Sequence, residues 1–292
     1  MKTSSFIHLA LLGLAFITFS CKKDKDADPD TFVADNQVAV DGNRADHESE
    51  DVSGLEEEIM GNNNISFART AVVDSSFNYD CATVNIVKKG DNPTGNVTVD
   101  FGPGCVGADG RMRKGIIKWT YTNRIKIPGA VITTSFLNYG VKKASGDEYV
   151  MIDNSSSKIT TNQNSPETSN SISLTRVINM TMHFSDGSSF THTGSKNIIV
   201  SGLNNGRWAK THTVLAGSVI TGTDRKGRAY TQTATTDIVR KGACAQMGIY
   251  KPVSGILTIT NDNKSKVIDF GNGSCDSEVS VSINGKLKKI KW

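Results

Sequence analysis

Alternation of apolar and polar residues constrains this chain more than any other feature of its sequence. From Tyr79 onward the alternation has a period of two, and turn residues such as Asp186-Gly187 recur every 8 to 14 positions. Period two is typical of a strand with one buried and one solvated face, and close turns join antiparallel neighbours. The best-patterned strand places seven residues on one face: Ile172, Leu174, Arg176, Ile178, Met180, Met182 and Phe184.

The lengths of these runs indicate the shape of the sheet. Several predicted strands reach 12 residues or more, whereas about 5 to 6 is usual, and long antiparallel strands twist and curl. The sequence therefore predicts an all-β fold: a single antiparallel meander that forms a strongly curved sheet or a barrel-like domain, with a short N-terminal helix. The predicted β domain covers residues 77–292, which is long enough to bury a core.

A phrase near the two ends of the predicted domain occurs twice. Residues 97–105 read Val-Thr-Val-Asp-Phe-Gly-Pro-Gly-Cys and residues 267–275 read Val-Ile-Asp-Phe-Gly-Asn-Gly-Ser-Cys, each after an earlier cysteine. Besides Cys21 the chain has four cysteines. An even number in an exported chain indicates disulfides, and four cysteines allow three connectivities. The repeat favours pairing within each copy, with the other connectivities left open: Cys81 with Cys105, and Cys244 with Cys275.

An aspartate precedes Phe-Gly in both copies, Asp100 in the first and Asp269 in the second. We predict that each carboxylate accepts backbone amides where a strand meets a glycine-rich turn. A calcium site at Asp100, Asp109 and Gly110 is the alternative, but the oxygen ligands at alternate positions that define an EF-hand are missing.

The N-terminus has the layout of an export signal. Residues 1–20 contain an apolar run from Phe6 to Phe19 that is too short to span a bilayer. Thr-Phe-Ser-Cys at residues 18–21 resembles a bacterial lipobox, whose cysteine is lipidated and becomes the mature N-terminus. We therefore expect a lipid anchor on Cys21 and an outer-membrane location, either surface-exposed or periplasmic. An ordinary cleavage site beside a free cysteine is the alternative.

Charge divides the rest of the chain. Residues 22–58 hold 13 acidic and 4 basic side chains, a balance of −9, and residues 59–292 hold 16 and 28, a balance of +12. Residues 21–43 are too charged to bury apolar surface, and we predict a solvated tether there. Residues 44–76 are predicted to hold the short helix and a linker, since Ser53-Gly-Leu-Glu56 has the spacing of a capping box.

The basic balance of residues 59–292, the body of the chain, favours polyanionic partners. Basic and aromatic residues are not interleaved as in nucleic-acid grooves, so we predict that nucleic acid is not a partner. The simpler alternative is that the C-terminal lysines keep an edge strand soluble.

Several motifs together resemble a known group of sequences. They are Cys-Ala-Thr-Val at 81–84, Val-Asp-Phe-Gly-Pro-Gly-Cys at 99–105, Asp-Gly-Arg-Met-Arg-Lys-Gly at 109–115, Pro-Gly-Ala-Val-Ile-Thr-Thr at 128–134 and the closing Asp-Phe-Gly…Cys…Ile-Asn-Gly-Lys. With the anchor, they resemble a family of uncharacterised outer-membrane lipoproteins of Bacteroidota over about residues 78–292. The resemblance implies an envelope location and a single domain, and it implies no activity.

Catalytic signatures are missing from the sequence. It contains no Gly-x-Ser-x-Gly, zincin helix or phosphate loop, so we predict no enzyme activity, catalytic residue or cofactor. A hydrolase acting on a glycan is the enzymatic alternative, and the glutamates of the body that could serve it are Glu148, Glu167 and Glu278.

Two histidines, His183 and His192, flank the Asp186-Gly187 turn, and His212 is a third candidate metal ligand. A three-residue loop with Gly187 in the left-handed conformation would set Met182 opposite Phe190 and Met180 opposite His192. That register places His183 and His192 on opposite faces, so no metal site is predicted.

The predicted function is therefore non-catalytic, with a binding or structural role at the outer membrane or cell surface. One alternative is a carrier of a lipid-type ligand in the concave sheet, and another is binding of a glycan or anionic polymer to a basic, Ser/Thr-rich face. The candidate binding face consists of the larger apolar residues of the predicted strands: Trp119, Tyr121, Met180, Met182, Phe184 and Phe190.

Overall fold

The computed structural model describes residues 29–62, 75–88, 94–143, 148–205, 207–249, 251–262, 264–283 and 285–291. The chain divides into two compact units, Met1–Asn36 and Gln37–Trp292. In the first unit the described residues, 29–36, are the beginning of a helix. The second unit holds the remainder of that helix and the strands. The predicted signal peptide and the predicted lipidation site Cys21 lie outside the described residues.

Eighteen strands form one sheet in the described part of the chain, which confirms the all-β prediction. The first nine are β1 Ser75–Tyr79, β2 Ala82–Lys88, β3 Gly95–Asp100, β4 Cys105–Val106, β5 Arg111–Tyr121, β6 Val131–Lys143, β7 Val150–Ile152, β8 Ser157–Asn162 and β9 Ser171–His183. The others are β10 Ser189–Ser201, β11 Thr211–Val214, β12 Val219–Thr223, β13 Ala229–Ala234, β14 Ile238–Lys241, β15 Ser254–Asn261, β16 Lys264–Asn272, β17 Glu278–Ile283 and β18 Lys286–Lys291.

The strands pair as a meander, and every pairing is antiparallel. From β1 the ladder runs through β2, β3, β5, β6, β8, β9, β10, β12, β13, β15, β16 and β17 to β18. The short strands β4, β7, β11 and β14 lengthen this ladder by pairing with the ends of their longer neighbours. The predicted single antiparallel meander is thus confirmed.

The hairpin formed by β9 and β10 has the predicted register. Met182 lies opposite Phe190 and Met180 opposite His192, because Gly187 has φ +82° and closes the turn. The Gly187 amide donates to the Phe184 carbonyl at 3.1 Å. Alternate residues of β9 are buried, so the face with Ile172, Leu174, Ile178, Met180 and Met182 belongs to the core.

One long helix, α1, spans Pro29–Asn62 and has 34 residues. The N-terminal helix is therefore present, but it begins 15 positions before the predicted boundary at residue 44, inside the stretch 21–43 that was predicted to be a solvated tether. Ser53 does not cap it, because Ser53 lies in the helix interior and its hydroxyl donates to the Ser49 carbonyl. The capping-box interpretation was wrong for this reason.

Between Gln37 and Met60 the helix is enclosed by the sheet. Twelve of these residues are buried, and Val40, at 47% exposure, is the exposed one. The buried apolar residues on this part of α1 are Val38, Ala39, Ala45, Val52 and Ile59. Since the sheet curves around a helix, the interior of its concave side is filled by the chain's own N-terminal segment.

Both disulfides favoured by the repeat are present, Cys81–Cys105 and Cys244–Cys275. A short helix, α2 Gly242–Gln246, carries Cys244. The two aspartates of the repeat also have the predicted structural role, because Asp100 accepts the Gly102 amide at 2.7 Å and Asp269 accepts the Gly271 amide at 2.9 Å.

Candidate functional site

The most unusual feature of the fold is the contact between α1 and the concave side of the sheet. Seven of the eight carboxylates between Gln37 and Met60 lie within 4 Å of a lysine or arginine of the sheet or its loops. We call the sheet side of this contact the helix seat, and define it by the residues that bind α1 between Asn43 and Glu57: Arg111, Arg113, Lys158, His192, Lys196, Lys210, Gln232 and Arg240.

Asp46 has the largest number of partners in the helix seat. Its carboxylate accepts from His192 Nε2 at 2.8 Å and from Gln232 Nε2 at 3.1 Å, and it also contacts the ammonium of Lys196. Burial alone would raise the pKa of Asp46, but Lys196 and His192 outweigh burial and hold that pKa well below its usual value. Asp46 is therefore an ionised carboxylate inside the protein.

The protonation of His192 follows from its two neighbours. A carboxylate can only accept hydrogen bonds, so the Nε2 atom that faces Asp46 carries a hydrogen. Burial lowers the pKa of His192, and its Nδ1 atom lies 2.9 Å from the Tyr230 hydroxyl, which donates its hydrogen to the Thr191 carbonyl at 2.8 Å. The arrangement fixes the imidazole in one orientation.

Two arginines of β5 hold the middle of the helix. Arg111 lies 2.5 Å from Glu48 and 3.0 Å from Asp51, and Arg113 lies 2.8 Å from Asp51 and 2.5 Å from Asp109. Arg113 and Glu48 are buried, and ion pairs removed from water are screened weakly by salt. Asp109 is thus a partner of Arg113.

Glu50 and Arg240 form a further ion pair, with Asn43 Oδ1 3.2 Å from Arg240 Nη2. Burial opposes ionisation of Glu50, but Arg240 outweighs it and lowers the pKa of Glu50 to about 2. Beside this pair lies a cleft of about 30 Å³, bordered by Asp46, His212 and the β12–β13 strands. A volume of this size holds roughly two water molecules and no organic ligand.

Lys158 is the residue of the helix seat whose ion pair with α1 is the longest. Its ammonium is buried, 2.5 Å from the Ser53 hydroxyl and 3.9 Å from Glu56. Burial lowers the pKa of Lys158 to about 8 and raises the pKa of Glu56. The Oε2 atom of Glu56 and the Nε atom of Arg176 are buried without a hydrogen-bond partner in the described structure. The pairing is therefore incomplete at this end of α1.

On the opposite, outward side of the sheet, two neighbouring rows of residues are uncharged over eight adjacent strands. Cross-strand partners there form two rows, and neither row contains an ionisable side chain. The first outer row, from β6 to β16, is Ser135, Ser157, Asn179, Thr193, Thr221, Thr231, Thr260 and Ser265. The second outer row is Thr133, Ile159, Val177, Ser195, Val219, Thr233, Thr258 and Val267.

The six residues of the candidate binding face do not form an accessible surface. Trp119, Tyr121, Met180, Met182 and Phe190 are each at most 3% exposed, because their strand faces point toward the enclosed helix. Phe184 is partly exposed, with the Arg225 guanidinium carbon 3.4 Å from its ring centre. The described structure therefore places five of the six residues in the core and leaves Phe184 at its edge.

The three histidines considered for a metal site are apart. His183 is exposed and lies 2.9 Å from Asp153, whereas His192 is buried beside Asp46, on opposite faces as predicted. Burial also lowers the pKa of His212, which faces Glu50 and Glu57. Within the described residues, no group of three or more His, Cys, Asp or Glu side chains is arranged to hold a metal ion.

The three glutamates considered for hydrolysis are on the surface. Glu167 pairs with Arg124 at 2.7 Å, Glu148 contacts the Ser185 hydroxyl, and Glu278 is exposed at the start of β17. Among the described residues, the contacts of Glu167 and Glu148 are therefore with Arg124 and Ser185 and not with another carboxylate of the three.

Comparison with known proteins gives no relative: no protein-family model, no curated protein and no solved structure matches the chain. In the part of the chain that the structure describes, no helix has the length and apolar character needed to cross a membrane.

The residues that sequence reasoning missed are the acidic ones of α1 and their partners. The signal was present as opposite charge balances of −9 for residues 22–58 and +12 for residues 59–292. Opposite balances indicate attraction, but individual pairs such as Glu50 with Arg240 join residues 190 positions apart.

Proposed function

We propose that this protein is exported, anchored to the outer membrane through Cys21, and non-catalytic, and that it binds a neutral glycan of the envelope or cell surface on its two outer rows. The observation that carries the proposal is the separation of charge: ionisable side chains cluster on the concave side, and the outer rows contain none. The export signal, the lipobox-like sequence and the resemblance to Bacteroidota lipoproteins support the location.

The chemistry of the outer rows suits a neutral polyhydroxyl ligand. Serine, threonine and asparagine side chains both donate and accept hydrogen bonds, as sugar hydroxyls do. Ile159, Val177 and Val219 are each more than a third exposed on the second outer row and offer apolar contact to the C–H face of a sugar ring. Strands about 4.8 Å apart repeat these groups regularly along the row.

A neutral ligand is favoured over an anionic one because the cations of the body are engaged by α1. Arg111, Arg113, Lys196 and Arg240 each contact a helix carboxylate. The +12 balance of the body is therefore largely offset within the molecule, and the surface field that would attract an anionic polymer is reduced.

A lipid carrier receives less support than it did from the sequence. The concave side carries buried arginine, lysine and histidine among its apolar residues and is filled by a helix, whereas lipid sites are mainly apolar cavities. A glycan hydrolase receives little support from the surface positions of Glu148, Glu167 and Glu278.

The proposal is tested by measuring retention on a panel of immobilised polysaccharides, with dextran and a neutral β-glucan against a polyuronate. We expect retention on a neutral member that is unchanged between ~0.02 M and ~0.5 M NaCl, since hydrogen bonds between uncharged groups are not screened. Retention on the polyuronate alone, lost at high salt, would contradict the proposal.

A matched pair of variants locates the surface. Asn179→Arg places a charge in the first outer row, and Ser171→Arg places the same side chain on the same strand and face eight residues away, about 26 Å along the strand. We expect Asn179→Arg to abolish retention and Ser171→Arg to leave it unchanged, with both proteins folded. Equal retention of the two variants would place the binding surface elsewhere.

A further inference from the structure

The contact between α1 and the sheet is ionic to an extent that ordinary core packing is not. Of the twelve buried residues between Gln37 and Met60, five are apolar; the others are Asp41, Gly42, Asp46, Glu48, Ser49, Ser53 and Glu56. Helices that belong permanently to a core usually present a broad apolar stripe. Here the recognition of α1 depends on charge complementarity with the helix seat.

The helix seat cannot remain empty. Without α1, Arg111, Lys158, Lys196 and Arg240 would line the interior with their carboxylate partners removed. Uncompensated buried charge is strongly destabilising. The seat therefore requires an anionic occupant of helical diameter, about 10 Å, whose carboxylates project on several sides.

The chain's own helix does not satisfy the seat completely. The Nε atoms of the seat residues Arg113 and Arg240 are buried and have no hydrogen-bond partner in the described structure. Beside the seat, the Nε atom of Arg176 and the Nδ1 atom of His212 also have none there. Donors left without acceptors lower the affinity of the seat for α1. An acidic helix with carboxylates at other positions could use them.

We propose that the helix seat is a binding site for an acidic α-helix supplied by another polypeptide, and that α1 is its intramolecular occupant. The proposal goes beyond glycan binding, because it concerns the concave side and a protein partner. It is supported by the ionic character of the seat, its fit to a helix and its unused donors.

Competition with α1 determines how such a partner binds. A tethered helix has a local concentration in the millimolar range, so α1 excludes weak partners. The apparent affinity for a partner equals the intrinsic affinity multiplied by the fraction of molecules with an open seat. Weakening α1 without altering the seat should therefore increase binding.

The experiment measures capture of a fluorescent peptide with the sequence of residues 37–60 by the full chain. The first variant is Asp46→Asn, which removes a helix charge and leaves Lys196 in the seat. We expect about 100-fold tighter capture than by the unaltered protein, since breaking a buried pair opens the seat to that extent. A control peptide with its carboxylates amidated at positions 46, 48, 50 and 51 should not be captured.

The second variant, Asp46→Asn with Lys196→Met, tests whether the seat is the site. It removes one seat cation together with the helix charge, so capture should fall by about tenfold from that of Asp46→Asn. Equal capture by the two variants, or capture of the amidated peptide, would overturn the proposal.

If Asp46→Asn does not fold alone, refolding with the acidic peptide should restore its β-sheet circular dichroism, and failure to restore it would also overturn the proposal. Inorganic polyphosphate is the final arm of the experiment. Displacement of the peptide by polyphosphate at equal charge concentration would overturn the preference for a helix and identify a general polyanion site.

Discussion

The two sides of the sheet differ in the charges that they carry. On the concave side, cations such as Lys196 and Arg240 are paired with carboxylates of α1, and on the outward side two rows spanning eight strands contain no ionisable residue. Soluble domains usually have the reverse distribution, because charged side chains are rarely buried without a partner. The difference teaches that the opposite charge balances of residues 22–58 and 59–292 reflect an attraction inside the protein more than the charge of its surface.

Among substitutions on the two sides of the sheet, we expect the largest loss of stability from a change at Asp46. Asp46→Asn should lower the free energy of unfolding by ~3 to 5 kcal/mol, because Lys196 is left buried without its counterion. Urea unfolding followed by circular dichroism measures the change. Adding Lys196→Met should recover part of the loss, since the uncompensated charge is removed.

The outward control for this prediction is Glu167→Gln, which breaks the exposed pair with Arg124. Exposed pairs contribute about 0 to 1 kcal/mol, so this variant should unfold almost as the unaltered protein does. An effect of Asp46→Asn no larger than that of Glu167→Gln would mean that α1 is not held by its charges.

Much of the fold follows from local sequence patterns. The register of β9 with β10 could be predicted because Gly187 fixes the turn, and a one-residue slip would have moved Met180 and Met182 to the outward face. The Cys81–Cys105 and Cys244–Cys275 pairings could be favoured because each closes an equivalent repeat. In each case the decisive information lies within about 30 residues.

The helix seat could not be predicted in the same way. Rules for helices look for one apolar stripe facing a core, and a helix enclosed by a charged sheet has polar residues all round. Asp46 and Glu50 therefore gave no indication that they would be enclosed by the sheet, and the charge of residues 21–43 concealed a helix that begins at Pro29. Pairs separated by 150 to 190 residues leave no trace in one sequence.

The disulfides provide the second prediction. Cys81→Ser and Cys275→Ser should each lower the free energy of unfolding by ~3 kcal/mol, since each bridge closes a loop of similar length, with sequence separations of 24 and 31. The double variant should lose about the sum, because the two bridges do not share a loop. Thermal unfolding measures all three variants.

The salt dependence of these cysteine variants sharpens the comparison between the two sides. No seat residue is removed, so their unfolding should respond to NaCl as that of the unaltered protein does. Coupling between the two single variants larger than about 1 kcal/mol would indicate that the repeats are stabilised as one unit.

A third prediction compares two carboxylates whose pKa is lowered to about 2: Glu50 on the concave side, through Arg240 acting against burial, and Asp153 on the outward side, through Ser155 and His183. A lowered pKa in the folded state contributes stability above the usual pKa, and this stability is lost as the pH falls toward the folded value. For Glu50 the loss should occur between pH 4.5 and about pH 2.

Between pH 4.5 and about pH 2, the free energy of unfolding should fall by roughly 2 to 3 kcal/mol less in Glu50→Gln than in the unaltered protein. Asp153→Asn should change this pH dependence much less, because Asp153 is partly exposed and its pairing with His183 is screened by solvent. Urea unfolding at several pH values measures both. Equal changes in the pH dependence of the two variants would show that solvent reaches Glu50 as freely as it reaches Asp153.

The smallest expected effect on stability is on the outward side, at Thr221. This residue is exposed in the first outer row, with Thr193 and Thr231 as its cross-strand partners. Thr221→Lys should change the free energy of unfolding by at most ~0.5 kcal/mol, because a lysine there remains in water and buries no charge. The same substitution should abolish retention on the neutral glycan, since it places an ammonium among hydroxyl groups. If the variant is stable but no longer binds the glycan, the outer rows are neutral because a ligand requires it. If the variant is stable and still binds, the rows are neutral only because threonine favours strands.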